Sequence, residues 1–195
     1  MPINNNNQPI SGLGDNNALL KVYMANQPSY TFLNTDKPTD IGIAALTKGE
    51  IYLAGQACGN GWRKVFNVYA KFVFALSSPL IGDCTCYAKW QDYRDHLLLQ
   101  AQSKTALLFT PPVFSNTLAP ANSIHIVMGK TYAKTLLNNH LLGNPDNMIC
   151  LNDEFAINLK HRIIVCPYFD YRQLSNIKIM YLVNLIQSQL PLKLP

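Results

Sequence analysis

Five short apolar segments occur in the sequence, and none shows the alternation of apolar and polar residues that a one-sided sheet requires. Parallel sheets with both faces covered bury their strands completely, and such strands are continuous apolar runs of this kind. Segments with helical periodicity separate the runs. The pattern therefore predicts an α/β fold with three layers, α/β/α, around a central, mainly parallel sheet of four or five strands. The five segments are residues 19–24, 51–54, 105–110, 124–128 and 163–166.

The longest helical pattern begins at Trp62, where large apolar side chains recur at steps of three and four residues up to Leu76. This spacing places them on one face of a helix, which we interpret as a packing face. The opposite face is polar. It carries Arg63, Lys64, Asn67 and Lys71.

Shorter helical patterns and the start of the chain complete the predicted organisation. Residues 41–47 predict a short helix that ends at Lys48-Gly49. The Asn-rich residues 1–17 have no apolar period, so we expect a frayed or disordered arm followed by one domain over residues 18–195. Further helices are predicted over residues 88–103, 131–142 and 176–190.

Composition limits the class of protein. Of the 195 residues, 48% are hydrophobic and 14% charged, which is sufficient for the core of one domain. No apolar run approaches the roughly 18 residues that span a bilayer, and the first residues lack the pattern of a signal peptide. We therefore expect a cytoplasmic protein that does not bind membranes. The net charge of +5 is compatible with a phosphate-bearing partner, or with solubility alone.

The five cysteines predict neither disulfides nor a metal site. Their number is odd and their spacing does not repeat, so we expect reduced thiols. Cys84 and Cys86 are close enough to share a zinc ion, but no second pair of cysteines or histidines is present to complete the tetrahedron. The sequence predicts no metal and no other cofactor.

The expected parallel sheet indicates where a ligand would bind. Ligands of such sheets lie in the crevice beyond the carboxyl ends of the strands. Four turns would form this crevice: residues 56–61, 110–116, 129–131 and 167–175. The candidate ligand-binding residues in these turns are Gln56, Cys58, Asn60, Lys130, Cys166, Tyr168, Asp170 and Arg172.

Two motifs in these turns have structural explanations. Gly129-Lys130-Thr131 resembles the end of a phosphate-binding loop, but the glycine required five positions earlier is Ile124, inside an apolar strand. Gly129 instead indicates a tight strand-to-helix turn. Cys58 precedes a helix, where backbone N–H groups lower a thiol pKa, but a nucleophile elbow needs glycine at the positions that Gln56 and Asn60 occupy.

Three segments, in matching order, resemble the uracil-DNA glycosylase superfamily. Residues 51–59 resemble its first motif, in which a strand ends in a glycine turn. Residues 124–137 are similar to the strand, glycine turn and helix in the later half of those enzymes. Residues 163–168 resemble the strand that runs into the superfamily's His-Pro-Ser motif. The resemblance implies a glycosylase-like fold whose crevice accepts a nucleotide base.

The three segments differ from that family at the positions of its catalytic residues. Cys166 stands at the position of the motif histidine and Tyr168 at that of the serine, while Gln56 or Ala57 replaces the residue that activates water. Cleavage of a glycosidic bond needs negative charge near the sugar and a donor near the base. We therefore expect no glycosylase activity, and no catalytic residue is assigned.

The resemblance leaves a binding function. It implies a nucleotide or nucleic acid in the crevice, with Arg172 and Lys130 facing phosphates and Tyr168, Phe169 or Tyr171 stacking on bases. One alternative is a divergent DNA base-excision hydrolase in which Asp170 or Asp83 supplies the missing carboxylate. Another is a non-catalytic protein-interaction domain. The oligomeric state is left open.

Overall fold

The structure is a computed structural model that describes residues 10–33, 42–81, 84–114 and 122–192. Its strands are β1 (Ser11–Gly14), β2 (Leu20–Tyr23), β3 (Gly42–Ala44), β4 (Thr105–Leu108), β5 (Ile124–Met128), β6 (Ile149–Cys150), β7 (Ala156–Asn158) and β8 (Ile163–Cys166). Its helices are α1 (Glu50–Ala57), α2 (Asn60–Leu76), α3 (Trp90–His96), α4 (Lys130–Asn138) and α5 (Asn176–Gln189), with a 3-10 turn at Pro145–Asn147.

The described strands form one sheet in the order β3-β1-β4-β2-β5-β8-β7-β6. The four central strands β4, β2, β5 and β8 are parallel to one another. At one end β1 is antiparallel to β4 and parallel to β3, and at the other end β7 and β6 extend the sheet as an antiparallel pair. The predicted mixed α/β architecture with a mainly parallel sheet is confirmed.

Helices cover both faces of the sheet. On one face α1, α2, α3 and α5 pack against side chains such as Val22, Leu107 and Ile126. On the other face α4 packs through Ala133 and Leu136 against alternate residues of the same strands. Both faces of the central strands are therefore buried, which explains why their sequences are apolar without alternation.

The four central strands end at the same edge of the sheet. Tyr23 at the end of β2 is aligned with Leu108 of β4 and Val127 of β5, and Met128 is aligned with Cys166 of β8. The segments that follow these strands therefore meet at one rim, which we call the carboxyl rim. Three of the predicted turns, after β4, β5 and β8, begin there.

The fourth predicted turn, residues 56–61, does not follow a strand as predicted. The residues before it, 51–54, belong to the helix α1. Ile51, Ala54 and Gly55 are buried while Tyr52 and Leu53 are exposed, which is a helical face. Four apolar residues are too few to distinguish the two periods. The central strand between β4 and β5 is β2, which the sequence also predicted.

The buried carboxylate of Glu50 anchors the start of α1. It accepts hydrogen bonds from the backbone N–H of Leu33 (2.6 Å) and from the N–H and hydroxyl of Thr47 (2.8 and 2.9 Å). Gly49 caps the helix with φ at 79°, so it begins a helix, whereas the sequence predicted that it ends one. The short helix predicted over residues 41–47 is also wrong, since residues 42–44 form β3.

The sheet has more strands than predicted because its outer strands are short. Ser11–Gly14 forms β1, although the sequence predicted a frayed arm through residue 17; residues 1–9 of that arm lie outside the described residues. Gly12 allows β1 to approach β4, because a Cβ there would stand 2.5 Å from Leu108 Cδ2. Within the described residues no helix is long and apolar enough to cross a membrane.

Candidate functional site

The junction between α1 and α2 reaches the carboxyl rim from the side. The Cys58 thiol donates to the Ser29 carbonyl oxygen at 3.6 Å, just beyond β2. The ring of Trp62 lies edge-on to that of Phe109, beyond β4, with centroids 6.2 Å apart. Residues 56–61 therefore lie at the predicted place, although they link two helices.

Gly59 makes this junction possible. Its φ of 82° and ψ of −171° place it in a region that residues with a Cβ rarely occupy. A Cβ at Gly59 would meet no atom within 4 Å. Glycine is therefore required by the backbone angle and not by a lack of space. Gly59 is thus explained by chain geometry, without a ligand.

An open groove runs along the outer face of α2, with a volume of about 420 Å³. We call it the α2 groove. Its floor is a stripe of residues at helical spacing, and its ends are formed by the start of α3 and by the loop that follows β8. The residues lining it are Asn60, Arg63, Lys64, Asn67, Val68, Lys71, Trp90, Tyr171 and Arg172.

The lining of the α2 groove contains four cationic side chains and no carboxylate. Within the described part of the chain, Arg63, Lys71 and Arg172 form no ion pair. Arg63 instead donates to the side-chain oxygens of Asn60 and Gln56. The groove is therefore a region of positive potential that an anion would neutralise.

The ring of Trp90, one of two aromatic rings in the groove, is close to two cations. Lys71 Nζ is 5.2 Å from the centroid of the Trp90 ring, and Arg94 Cζ is 5.7 Å from it. Arg94 is neutralised by Asp95, with 2.7 Å between Nε and Oδ1. These distances are those of cation–π contacts, which hold the cations near the rings without removing their charge.

The Tyr171 ring forms the corresponding pair at the other end of the groove. Lys64 Nζ is 5.1 Å from its centroid and Arg172 Cζ is 5.8 Å from it. Lys64 also donates to Asp170 Oδ2 at 2.8 Å, which fixes the loop after β8 against α2. This bond, together with the N–H of Arg172, lowers the pKa of the Asp170 carboxyl.

The structure brings four of the predicted site residues together. Asn60 and Arg172 line the α2 groove, Gln56 accepts from Arg63, and Asp170 is bound by Lys64. The sequence identified the polar stripe of α2 but gave it no role. Only the fold reveals that it forms the floor of a groove closed by residues distant in sequence.

Two predicted residues, Cys58 and Cys166, are not suited to chemistry. Burial raises the pKa of the Cys58 thiol, which is the opposite of activation. Cys166 is completely buried, its thiol is 3.4 Å from the Pro167 carbonyl oxygen, and burial strongly raises its pKa. Cys58, Cys150 and Cys166 are free thiols.

The remaining predicted residues lie outside the groove. Lys130 begins α4, on the opposite face of the sheet, and donates to the Asp153 carbonyl oxygen at 3.1 Å. Tyr168 is half-buried beside Gly129. Phe169 is fully buried against Tyr69 and Phe72, so the prediction that it could stack on a base is wrong.

Metal-ligating side chains do not gather anywhere in the described residues: no three His, Cys, Asp or Glu residues are placed to share an ion. The predicted alternative carboxylate at Asp83 lies outside the described residues.

The comparisons with known proteins identify a family. A model of a family of unknown function, DUF6942, matches residues 11–187. Since this is most of the chain, the protein belongs to that family. Comparison with curated proteins and with solved structures found no match.

Proposed function

We propose that this member of the DUF6942 family binds nucleic acid in the α2 groove and does not cleave it. The proposal rests on the lining of the groove, which contains two aromatic rings and four cations, and three of these cations have no ion-pair partner among the described residues. Phosphate oxygens are the usual partners of such cations, and aromatic rings add affinity for bases.

The arrangement of the cations favours a polyanion. Arg63, Lys71 and Arg172 have no carboxylate partner among the described residues, so a phosphate would not need to displace one. They are spread along α2 and the loop after β8, as successive phosphates of a strand require. A polyanion that contacts several of them releases bound counterions and gains affinity at low salt.

A kinship of fold with the uracil-DNA glycosylase superfamily is part of this proposal. Two of the three motif matches fall on the expected elements: β5 runs through Gly129 into α4, and β8 runs into Pro167. The three-layer architecture around four central parallel strands is compatible with that fold. The first motif match provides no support, because residues 51–57 form α1.

We propose binding without glycosidic chemistry because the candidate groups are occupied. Gln56 accepts from Arg63, Cys166 is a buried thiol, and the Asp170 carboxylate is bound by Lys64. An assay for base release from uracil-containing DNA at high protein concentration should give no product. Release that depends on Asp170 would instead establish a hydrolase.

The binding proposal is tested by titrating a fluorescently labelled oligonucleotide with the protein at low salt and following anisotropy. We expect saturable binding, and we expect Lys71→Gln and Arg172→Gln each to weaken it by about two- to five-fold, the effect of one exposed ion pair. Lys134→Gln is the matched control, because Lys134 is exposed on α4 and its loss changes the net charge equally.

Absence of binding at low salt would overturn the proposal. Equal affinities of the wild-type protein and of both groove variants would also contradict it, since the groove would then take no part.

A second candidate function is protein interaction, which an apolar patch on α5 favours. Ile177, Met180 and Tyr181 lie at steps of three and four residues and are 83%, 48% and 38% exposed. Contiguous exposed apolar surface is typical of interaction sites. Sedimentation over a range of concentrations tests self-association, and a species that Met180→Glu abolishes would support it.

A further inference from the structure

The aromatic rings of the α2 groove stand at two separate points along the helix. Trp90 is next to Lys71, and Tyr171 is next to Lys64. Those lysines are seven positions apart, which corresponds to about 10 Å along the helix axis. Since stacked nucleotides rise about 3.4 Å each, a ligand that touches both rings spans roughly three of them.

The position of α2 in the fold disfavours duplex DNA. A helix that reads a duplex projects from the protein and enters the major groove. By contrast α2 packs against α1, α3 and α5, and its exposed stripe is the floor of a groove with walls at Trp90 and Tyr171. The stripe is therefore flanked by other elements, unlike the projecting helix of a protein that reads a duplex.

The aromatic rings also favour an unpaired ligand. In a duplex the faces of the bases are stacked on one another, and only their edges are accessible in the grooves. In a single strand the faces are available for stacking on aromatic side chains. Tyr171 is 54% exposed, so its ring is accessible to such a base, whereas Trp90 is partly buried against the core and offers a smaller part of its ring.

The cations are placed to hold the phosphates of stacked bases. Each ring has two cationic groups within 6 Å, and one of each pair is bound to a carboxylate. At Trp90 they are Lys71 and Arg94, which pairs with Asp95; at Tyr171 they are Arg172 and Lys64, which pairs with Asp170. A base stacked on either ring would bring its own phosphate near these groups. Between the rings, Asn67 lines the groove; its amide oxygen accepts from Arg94, and its NH2 group can donate to base edges or sugars.

From this geometry we infer that the ligand of the α2 groove is single-stranded nucleic acid of about three nucleotides or more, with bases stacked on Trp90 and Tyr171. The inference rests on the proposed nucleic-acid binding and specifies its substrate class.

The experiment compares four ligands by anisotropy or by competition: a twelve-nucleotide oligothymidine, a duplex of equal length, an abasic strand with the same phosphates, and thymidine monophosphate. We expect the oligothymidine to bind more tightly than each of the others by about five-fold or more, the value of at least one stacked base.

Two variants separate stacking from charge. Tyr171→Leu and Trp90→Leu should weaken oligothymidine binding by about 5- to 150-fold, and should leave binding of the abasic strand almost unchanged. Trp90→Phe should retain most of the affinity. Tyr181→Leu on α5 is the aromatic control away from the groove. Should Trp90→Leu fail to fold, Tyr171→Leu alone decides, because its ring is exposed.

The outcomes distinguish this inference from the proposed function. If the duplex or the abasic strand binds as tightly as oligothymidine, and Lys71→Gln still weakens binding, the single-strand inference fails and the nucleic-acid proposal stands. Monophosphate binding as tight as that of oligothymidine would overturn the length requirement. If none of the ligands binds at low salt, both proposals fail.

Discussion

The imidazole of His125 lies within the face of the sheet that α4 covers, with 4% of its surface exposed. Its Nδ1 is 2.8 Å from the Tyr23 hydroxyl, and the Phe114 ring packs on it with centroids 5.3 Å apart. Burial, and to a smaller extent the nearby charge of Lys21, lower the pKa of His125 to about 3. The folded protein therefore holds this side chain neutral.

A dependence of stability on pH follows from His125. In the unfolded chain the pKa is about 6.5, so above that pH neither state is protonated. Between pH 6.5 and 3 only the unfolded state binds a proton. The free energy of unfolding should therefore fall by about 1.4 kcal/mol for each unit by which the pH is lowered. His125→Gln, which retains a partner for Tyr23, should remove this component.

Urea unfolding of both proteins between pH 7 and pH 5 provides the measurement, in a range where few carboxylates titrate. Parallel pH profiles for the wild-type protein and the glutamine variant would contradict the assignment of a buried neutral imidazole.

At the scale of elements, the sequence predicted what is buried on both faces. The central strands β2, β4, β5 and β8 are nearly or fully buried along their length, and their apolar sequences identified all four. The outer strands could not be predicted in this way. The strand β3 is half-buried and β6 is exposed, and each has only two or three residues.

The helix α1 illustrates a different limit. Its apolar run, residues 51–54, fits a strand or a helix equally well. The carboxylate of Glu50 binds the nearby Thr47 and also the N–H of Leu33, 17 residues away in sequence. The contact with Leu33 cannot be inferred from local sequence.

The backbone conformation of the α1–α2 junction can be tested by substitution of Gly59. Gly59→Ala should destabilise the protein by about 1–3 kcal/mol, because φ at this position is 82°. Gly61→Ala is the matched control, since it lies two residues away within α2 and a Cβ there meets no atom within 4 Å. It should stabilise by about 0.5–1 kcal/mol, the cost of glycine in a helix. Thermal or urea unfolding measures both.

Effects of equal sign in the two glycine variants would indicate that the junction has another conformation. Loss of oligonucleotide binding in Gly61→Ala, without loss of stability, would indicate that the turn contacts the ligand.

At the scale of the whole molecule, the fold gathers residues from three distant parts of the sequence. The α2 groove combines the polar stripe of α2 with Trp90 of α3 and with Tyr171 and Arg172 of the loop after β8. The sequence predicted the stripe as a helix face, and it predicted Tyr171 and Arg172 as ligand contacts. It could not place Trp90 beside Lys71, because that contact depends on how α3 packs on α2.

The clustering of cations in one groove also explains how a protein of modest net charge can bind a polyanion. The surplus of basic over acidic residues is only five, yet four cations line one groove, and three of them have no ion-pair partner among the described residues. Local potential, which depends on such clustering, controls the attraction of a polyanion more than net charge does.

Binding of nucleic acid in the α2 groove is tested by the salt dependence of oligonucleotide affinity. For a single strand that contacts three or four phosphates in the α2 groove, the logarithm of the association constant should fall against the logarithm of salt concentration with a slope of about −2 to −3. Combining Arg63→Gln, Lys71→Gln and Arg172→Gln should make the slope shallower by about 2 units, and Lys134→Gln should leave it unchanged. A triple variant with the wild-type slope would contradict the account.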